Sequence, residues 1–301
     1  MASILTNSSA LTALQTLSST NKALETTQNR ISTGLRIGEA SDNASYWSIA
    51  TSMKSDNKAN SAVQDALGLG AGKVDTAYSS INKIKDQVDE MKQLLVSAQG
   101  ASREDQEKIS TQITAIQSNI KSAASNANYA GSNLLVNDGT AANDLKVVAS
   151  YNRTGTTVTV DTIDVKATDT QVFGKGADGA VDFEEGFAAG VVADDFFAVP
   201  ADEGTISDAD INAAMVKVET ALSKLTTGAA ALGASKSQID SQKSFLSGLS
   251  DSIEKGVGTL VDADMNKESA RLSALQVQQQ LGVQALSIAN SSNQNILSLF
   301  R

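Results

Sequence analysis

The 301-residue sequence has no cysteine and no histidine. Without thiols there is neither a disulfide framework nor thiolate chemistry, and without imidazole the commonest general base and the commonest metal ligand are both missing. One proline, one tryptophan and 4% aromatic residues argue against a compact globule around a broad core. Abundant Ala, Ser, Asn and Gln are instead what long helices with narrow apolar seams use. No apolar run reaches the roughly 18 residues needed to span a bilayer. The opening residues MASILTNSSALTALQ have neither the basic start nor the continuous apolar stretch of a signal peptide, so export by a cleaved leader is not expected. Of the 34 acidic and 24 basic residues, residues 132–210 hold 15 and 4, which concentrates the net charge of −10 in the middle. Such a chain lacks the basic patch that nucleic acid requires.

What the sequence does have is a repeat of seven. Counting from Ile211, the residues Val218, Leu225, Leu232, Ile239, Leu246, Ile253 and Leu260 are all apolar. A second column four residues on, Met215, Leu222, Ala229, Lys236, Lys243, Ser250 and Val257, is apolar only at its ends. A repeat of seven keeps one stripe of a helix facing a partner, and fifty residues at 1.5 Å each make a helix roughly 75 Å long, one stave of a rod.

The front of the chain follows the same rule. Ala10, Leu17, Leu24 and Ile31 form one column, and Leu14, Asn21, Gln28 and Leu35 the other. Leu5 and Leu11 lie off that seam and widen the apolar face beyond what one partner helix covers. The pattern loosens at Gly34 and Gly38, and Asp42 is the predicted N-cap of a second helix carrying Tyr46, Ile49 and Met53. Val74, Ile81, Val88 and Leu95, with Ile84, Met91 and Ala98 beside them, continue it to a stop at Gly100. Ser102 and Asp105 resemble a capping box and start a third helix with the stripe Ile109, Ile113, Ile116, Ile120 and Ala127. So short a turn forces the two helices antiparallel.

After Gly131 the period becomes two. Residues 146–151 and 156–165 predict a hairpin around a turn ending at Gly155. Residues 171–204 collect glycines, acidic residues, Phe173, Phe183, Phe187, Phe196, Phe197 and Pro200, which predicts a small, irregular, solvent-facing module. In residues 262–301, one column holds Leu272, Leu275, Leu286, Ala289, Ile296 and Phe300, and another, turned well around the helix, holds Val277, Leu281, Ile288 and Leu299. A helix apolar on two sides needs more than one neighbour. The N-terminal segment supplies one and another chain the rest. The expected fold is mainly α, a long antiparallel coiled-coil rod of N- and C-terminal helices with a β-hairpin and a small outer module in the middle.

The motifs STGLRI at residues 32–37, YAGSNLL at 129–135, DAD at 262–264 and NILSLFR at 295–301, in order and at the proper ends, resemble bacterial flagellin. The resemblance implies a structural, non-enzymatic subunit that polymerises into the flagellar filament used for swimming. It also implies residues 1–45 with 262–301 as an inner coiled coil, 46–170 with 205–261 as a surrounding rod, and 171–204 as the solvent-facing insertion. Implied partners are further copies, other flagellins, an export chaperone, and hook-associated and cap proteins, outside the cell, without cofactor, nucleic acid or membrane insertion. The assembly residues would be the apolar seams of the two terminal helices. A hook-filament junction protein and a cell-surface adhesin using the Phe-rich acidic module are the rival readings.

Other patterns are weighed against bland ones. Gly72-Lys73 sits where a phosphate loop ends, but Leu67 and Val74 stand where that loop needs Gly and a hydroxyl. A helix made pliable by Gly68, Gly70 and Gly72 is the simpler expectation. Asp161, Asp164, Asp182, Glu184 and Glu185 lack the spacing of a calcium loop and are expected to form a solvated face. The zinc protease that some flagellins carry needs histidine. Residues 29–50 are similar to the segment by which plant receptors sense flagellin, departing from it at Ser41, Asn43, Tyr46 and Trp47, where Lys, Asp, Gly and Leu are usual. Its structural role in either case is a connection between helices within the filament. A surface along residues 88–99 and 109–120 resembles the Toll-like receptor 5 epitope, with Glu90 and Gln112 replacing its arginine and acidic partner while Leu94 is kept. Weak recognition by both receptors is expected.

Overall fold

The computed structural model describes residues 7–155, 157–176, 180–199 and 205–298, with side chains only as far as Ser291 in the last stretch. Leu5, Leu299, Phe300, Pro200 and the side chain of Ile296 lie outside the described residues. The chain divides into two compact units, Lys58–Ser250, and the two ends Met1–Asn57 with Asp251–Arg301. Helices α2 (Ala44–Ala98) and α6 (Asp208–Val261) contribute to both. The fold is mainly helical, with long helices toward both ends and small antiparallel sheets in the middle.

In the 58–250 unit, α2 and α6 run antiparallel, tied by Lys92 to Glu219 at 2.7 Å and by an ion pair between Lys236 and Asp75. The repeat of seven from Ile211 to Leu246 is buried throughout. Its companion column is Ala214, Ala221 and Gly228, three residues on, while Met215 and Leu222 are half-buried. Spacings of three and four alternate along such a stripe, and the small residues of the shorter step bring the helices close. At Gly228 a Cβ would stand 2.7 Å from the Asp169 carbonyl.

Helix α3 (Arg103–Ser125) begins where expected: the Asp105 N–H donates to the Ser102 hydroxyl at 3.3 Å, and that hydroxyl donates to the Asp105 carboxylate at 2.8 Å. The Ser102 hydroxyl and then Lys108 hold the Asp105 carboxyl below its ordinary range. Ile113, Ile116, Ile120 and Ala124 are buried, and so are Gln106 and Gln117. Gln106 exchanges hydrogen bonds with the Ile206 backbone, accepting from its N–H at 2.8 Å, and so fixes the approach to α6.

Strands β1 (Asn128–Tyr129) and β2 (Ser132–Asn133) pair across a turn in which Ala130 and Gly131 both take positive φ. Strands β3 (Leu145–Thr154) and β4 (Thr157–Val165) form the expected hairpin, with Gly155 in the left-handed region and a bulge between Val148 and Ser150. Val147, Ala149, Ile163 and Val165 face the core. The glycine run of α2 makes room for these strands instead of loosening the helix. A Cβ at Gly70 would lie 2.5 Å from the Val147 side chain, and one at Gly72 would lie 2.6 Å from the Tyr129 ring.

Residues 171–199 contain β5 (Gly174–Lys175), β6 (Val181–Asp182) and the short helices α4 (Ala167–Thr170) and α5 (Ala189–Val192) at their borders and within. Their aromatic side chains turn inward within the segment. Phe173, Phe196 and Phe197 are buried in the same core as α2, α3 and α6. Gln117 donates to the Val191 and Ala193 carbonyls at 2.9 and 3.2 Å, and Ser110 donates to the Phe197 carbonyl at 3.0 Å. The segment thus shares the core of the long helices, with its backbone tied to α3 by Ser110 and Gln117.

In the other unit, α1 (Ser8–Thr33) and α7 (Met265–Ser298) pair antiparallel. The Asn7 amide reaches the Ala289 carbonyl at 3.0 Å, Gln279 donates to Asn21 at 2.9 Å, and Arg30 lies 3.5 Å from Glu268. Gly34, at φ 73°, ends α1, and the chain then stitches itself to the end of α6. Leu35 bridges Asp262, the Arg36 N–H donates to the Val261 carbonyl at 2.7 Å, and its guanidinium donates to the Leu260 carbonyl at 2.8 Å. Ile37, Ala50, Val257 and Val261 form a small core behind this joint. The cap of α2 is Asn43, whose side-chain Oδ1 accepts from the Ser45 and Tyr46 N–H groups at 3.1 and 3.2 Å. Asp42, the predicted cap, instead accepts from the Gly38 and Glu39 backbone within the preceding loop.

Candidate assembly surface

The pairing face of α1 is narrow. Ala13, Leu17, Leu24 and Ile31 are half-buried, and its only fully buried described residues are Thr20 and Thr27. The predicted second column therefore shifts by one residue: Leu14, Asn21 and Gln28 are exposed, and Ala13, Thr20 and Thr27 take the inward place. Leu35 is half-buried at the joint. The reason is again the three-residue step from Leu17 to Thr20 and from Leu24 to Thr27, which puts both on one side of the helix.

On α7 the inward face runs through Glu268, Leu272, Leu275, Gln279, Gly282, Leu286 and Ala289, of which Glu268 and Leu275 are buried. Gly282 faces Leu17 so closely that a Cβ there would lie 3.3 Å from a Leu17 methyl. Glu268 has one oxygen near Arg30 and another buried without a hydrogen-bond partner among the described residues. Threonine, glutamate, glutamine and glycine thus occupy much of the seam between the two helices.

Large apolar side chains face away from it. Leu11 and Leu14 on α1 are 63% and 56% exposed, and Val277, Leu281 and Ile288 on α7 are 55%, 58% and 69% exposed. Val283, 53% exposed, belongs with them. Periodicity alone missed it, because it sits between the two columns counted in sevens. Covering one such side chain is worth about 1.5–3 kcal/mol, so six together represent on the order of 10 kcal/mol available to a partner. Exposed large apolar side chains grouped along a helix are the kind of surface through which proteins associate.

The other singled-out residues are placed as follows. Ser41, Asn43, Tyr46 and Trp47 are all exposed, with the Ser41 hydroxyl donating to Glu39 at 3.2 Å. Glu90 and Gln112 are exposed on α2 and α3, while Leu94 packs half-buried against the core. Residues 67–73 are continuous helix, so no phosphate loop exists there. Asp161 accepts from Ser150 at 2.7 Å, Asp164 accepts from Thr162 at 2.8 Å, and Asp182 accepts from the Glu184 N–H at 2.8 Å, each engaged locally. No helix among the described residues is long and apolar enough to cross a membrane.

Comparison with known proteins bears on the same two ends of the chain. The bacterial flagellin N-terminal helical region matches residues 4–140, and the bacterial flagellin C-terminal helical region matches residues 215–300. A flagellin of Brucella melitensis biotype 1 is 72% identical over 301 residues, covering the full length of both chains. Flagellin C of Rhizobium meliloti is 46% identical over 321 aligned positions, again covering both chains fully. A flagellin of Bartonella bacilliformis is 34% identical over 364 positions, covering 94% of this chain and 96% of its own.

Proposed function

The chain belongs to the bacterial flagellin family, and from that premise we propose how its two ends make it a filament subunit. It is a structural protein that assembles with further copies into the helical flagellar filament. The observation that carries the mechanism is the division of labour on α1 and α7: Thr20, Thr27, Glu268, Gln279 and Gly282 interrupt the leucines of the seam between the two helices, and Leu11, Leu14, Val277, Leu281, Val283 and Ile288 lie exposed. In a lone chain those six side chains meet water. In the filament, neighbouring copies seal them, and the terminal helices complete their folding as they assemble. Apolar contact within one molecule is too sparse to offset the ordering entropy of two helices, about 1–2 kcal/mol per residue for the backbone alone.

In sequence Leu299 extends the outward column of α7 and Ile296 and Phe300 extend the column that faces α1; together with Leu5 they are assigned to assembly in this reading. Residues 1–45 and 262–301 form the inner layer in this reading, with 46–170 and 205–261 around it and 171–204 outermost. The subunit works outside the cell, reaches it through the flagellar export channel with a chaperone, and meets hook-associated and cap proteins at the filament's two ends. It carries no catalytic role and no cofactor. Removal of residues 262–301 from the full chain is expected to leave a soluble protein that forms no filaments by electron microscopy, whereas filament growth by the truncated chain would refute the reading.

Recognition by host receptors belongs to the same account. Tyr46 and Trp47 are bulky and exposed where the plant-sensed segment has Gly and Leu, and Glu90 places a negative charge where the Toll-like receptor 5 epitope has arginine. A peptide of residues 29–50 is expected to elicit little oxidative burst in plant tissue at nanomolar concentration; a full burst would contradict this.

A further inference from the structure

Between α3 and α6 the chain folds back on itself several times, and its turns enclose a cavity of about 380 Å³. Small-molecule sites occupy roughly 300–1,000 Å³ and combine an apolar lining with a few convergent polar groups. This cavity has both. Its buried lining includes Leu134, Val136 and Val165, and its more exposed lining includes Asn128 and Ser132 of the β1–β2 hairpin and Lys175 of β5. Asn137, also in the lining, has spent both ends of its amide, donating to the Leu134 carbonyl at 2.9 Å and accepting from the Gly139 N–H at 2.8 Å. The side chains of Asn128, Ser132 and Lys175, in contrast, have no hydrogen-bond or ion-pair partner among the described residues. Their polar groups are free for a ligand.

The charge around the cavity runs against its surroundings. Residues 132–210 carry 15 acidic and only 4 basic residues, yet among the described residues no carboxylate lines the cavity, and one of those four cations does. The carboxylates beside it in sequence are engaged elsewhere. Asp138 accepts from the Thr140 hydroxyl and the Asn143 amide at 2.6 Å each, Asp144 accepts from the Ala167 N–H at 2.8 Å, and Asp182 accepts from the Glu184 N–H at 2.8 Å. The hairpin that brings Asn128 and Ser132 together turns through Ala130, whose φ of 51° makes it the one non-glycine residue at positive φ among those described. Strained backbone of this kind clusters at ligand sites.

An ammonium in a cavity free of carboxylates selects an anion, and amide and hydroxyl groups, which both donate and accept, suit a ligand rich in hydroxyls. We propose that this cavity binds a small polyhydroxylated carboxylate, a sugar acid, with its carboxylate on Lys175 and its hydroxyls on Asn128 and Ser132. The cavity lies wholly within the 58–250 unit and needs no second copy, so the site stands apart from the filament reading.

Titration of the full-length monomer with gluconate, followed by heteronuclear NMR, is expected to shift the amide signals of residues 128–137 and of Lys175 saturably at millimolar concentration. Sorbitol supplies the hydroxyls without the charge and hexanoate the charge without the hydroxyls, and each is expected to bind about tenfold more weakly. Lys175→Gln is expected to weaken gluconate binding about tenfold, as loss of one charge-assisted hydrogen bond requires, with thermal unfolding unchanged. Ser132→Ala is expected to weaken gluconate but not hexanoate, and Lys146→Gln, which removes an exposed cation outside the cavity, to alter neither. Absence of saturable shifts at these residues would overturn the assignment. So would gluconate binding that Lys175→Gln leaves unmoved, or binding of sorbitol or hexanoate as tight as that of gluconate.

Discussion

Gly68 and Gly70 occupy the same stretch of α2 two residues apart, yet their surroundings differ completely. Nothing lies within 4 Å of a Cβ built at Gly68, while a Cβ at Gly70 would fall 2.5 Å from Val147. Replacing a helical glycine with alanine in open space gains about 1 kcal/mol, and forcing a methyl into a filled space loses about 1–3 kcal/mol. Gly68→Ala is therefore expected to raise the unfolding temperature and Gly70→Ala to lower it, as thermal denaturation followed by circular dichroism would record. The sequence shows only three glycines in a helix. Which of them are obligatory depends on the strand packed above, and no local pattern carries that information. Asn43 and Asp42 make the same point. Both are good caps by residue type, and the choice between them is settled by a loop in which Asp42 is already engaged with Gly38 and Glu39.

At the scale of elements, what the sequence revealed best was whatever repeats. The sevens from Ile211 to Leu246, the α3 isoleucines and Val147, Ala149, Ile163 and Val165 of the β3–β4 hairpin turn inward, while Val158 and Val160 near its turn stay exposed. Each is a local pattern whose meaning is fixed by helix or strand geometry. What was illegible was non-periodic. The second column of α1 is off by one residue because threonine, which carries no hydrophobic signal, fills the inward positions at Thr20 and Thr27. The aromatic segment between residues 171 and 199 has no period, and glycines and carboxylates between its phenylalanines suggest solvent. Its rings are nevertheless drawn inward, because Gln117 and Ser110 offer the polar partners that let its backbone lie against α3. Buried glutamines such as Gln106 and Gln117 are the residues that composition alone least suggests as organisers.

For the whole molecule, the sequence motifs led to the family, and the structure explains why the two ends of the chain need company. The helix pair α1 and α7 is matched along its length by polar contacts from Asn7 to Glu268, which set register with little apolar burial. Leu11, Leu14, Val277, Leu281 and Ile288 stay exposed, where the proposed filament would cover them with other copies. The apolar columns of α7 were readable as two faces, but only the coordinates of its neighbour decide which face is internal. Leu272, Leu275 and Leu286 face α1, and Val277, Leu281 and Ile288 do not.

Amide hydrogen exchange across Ser8–Thr33 and residues 265–291, compared between dilute monomer and assembled filament, tests this division most directly. The expected result is rapid exchange over both stretches in the monomer, beside slow exchange in the 58–250 core, and strong protection of all three in the filament. Full protection of both terminal helices in a monomer that remains monomeric at high concentration would contradict it.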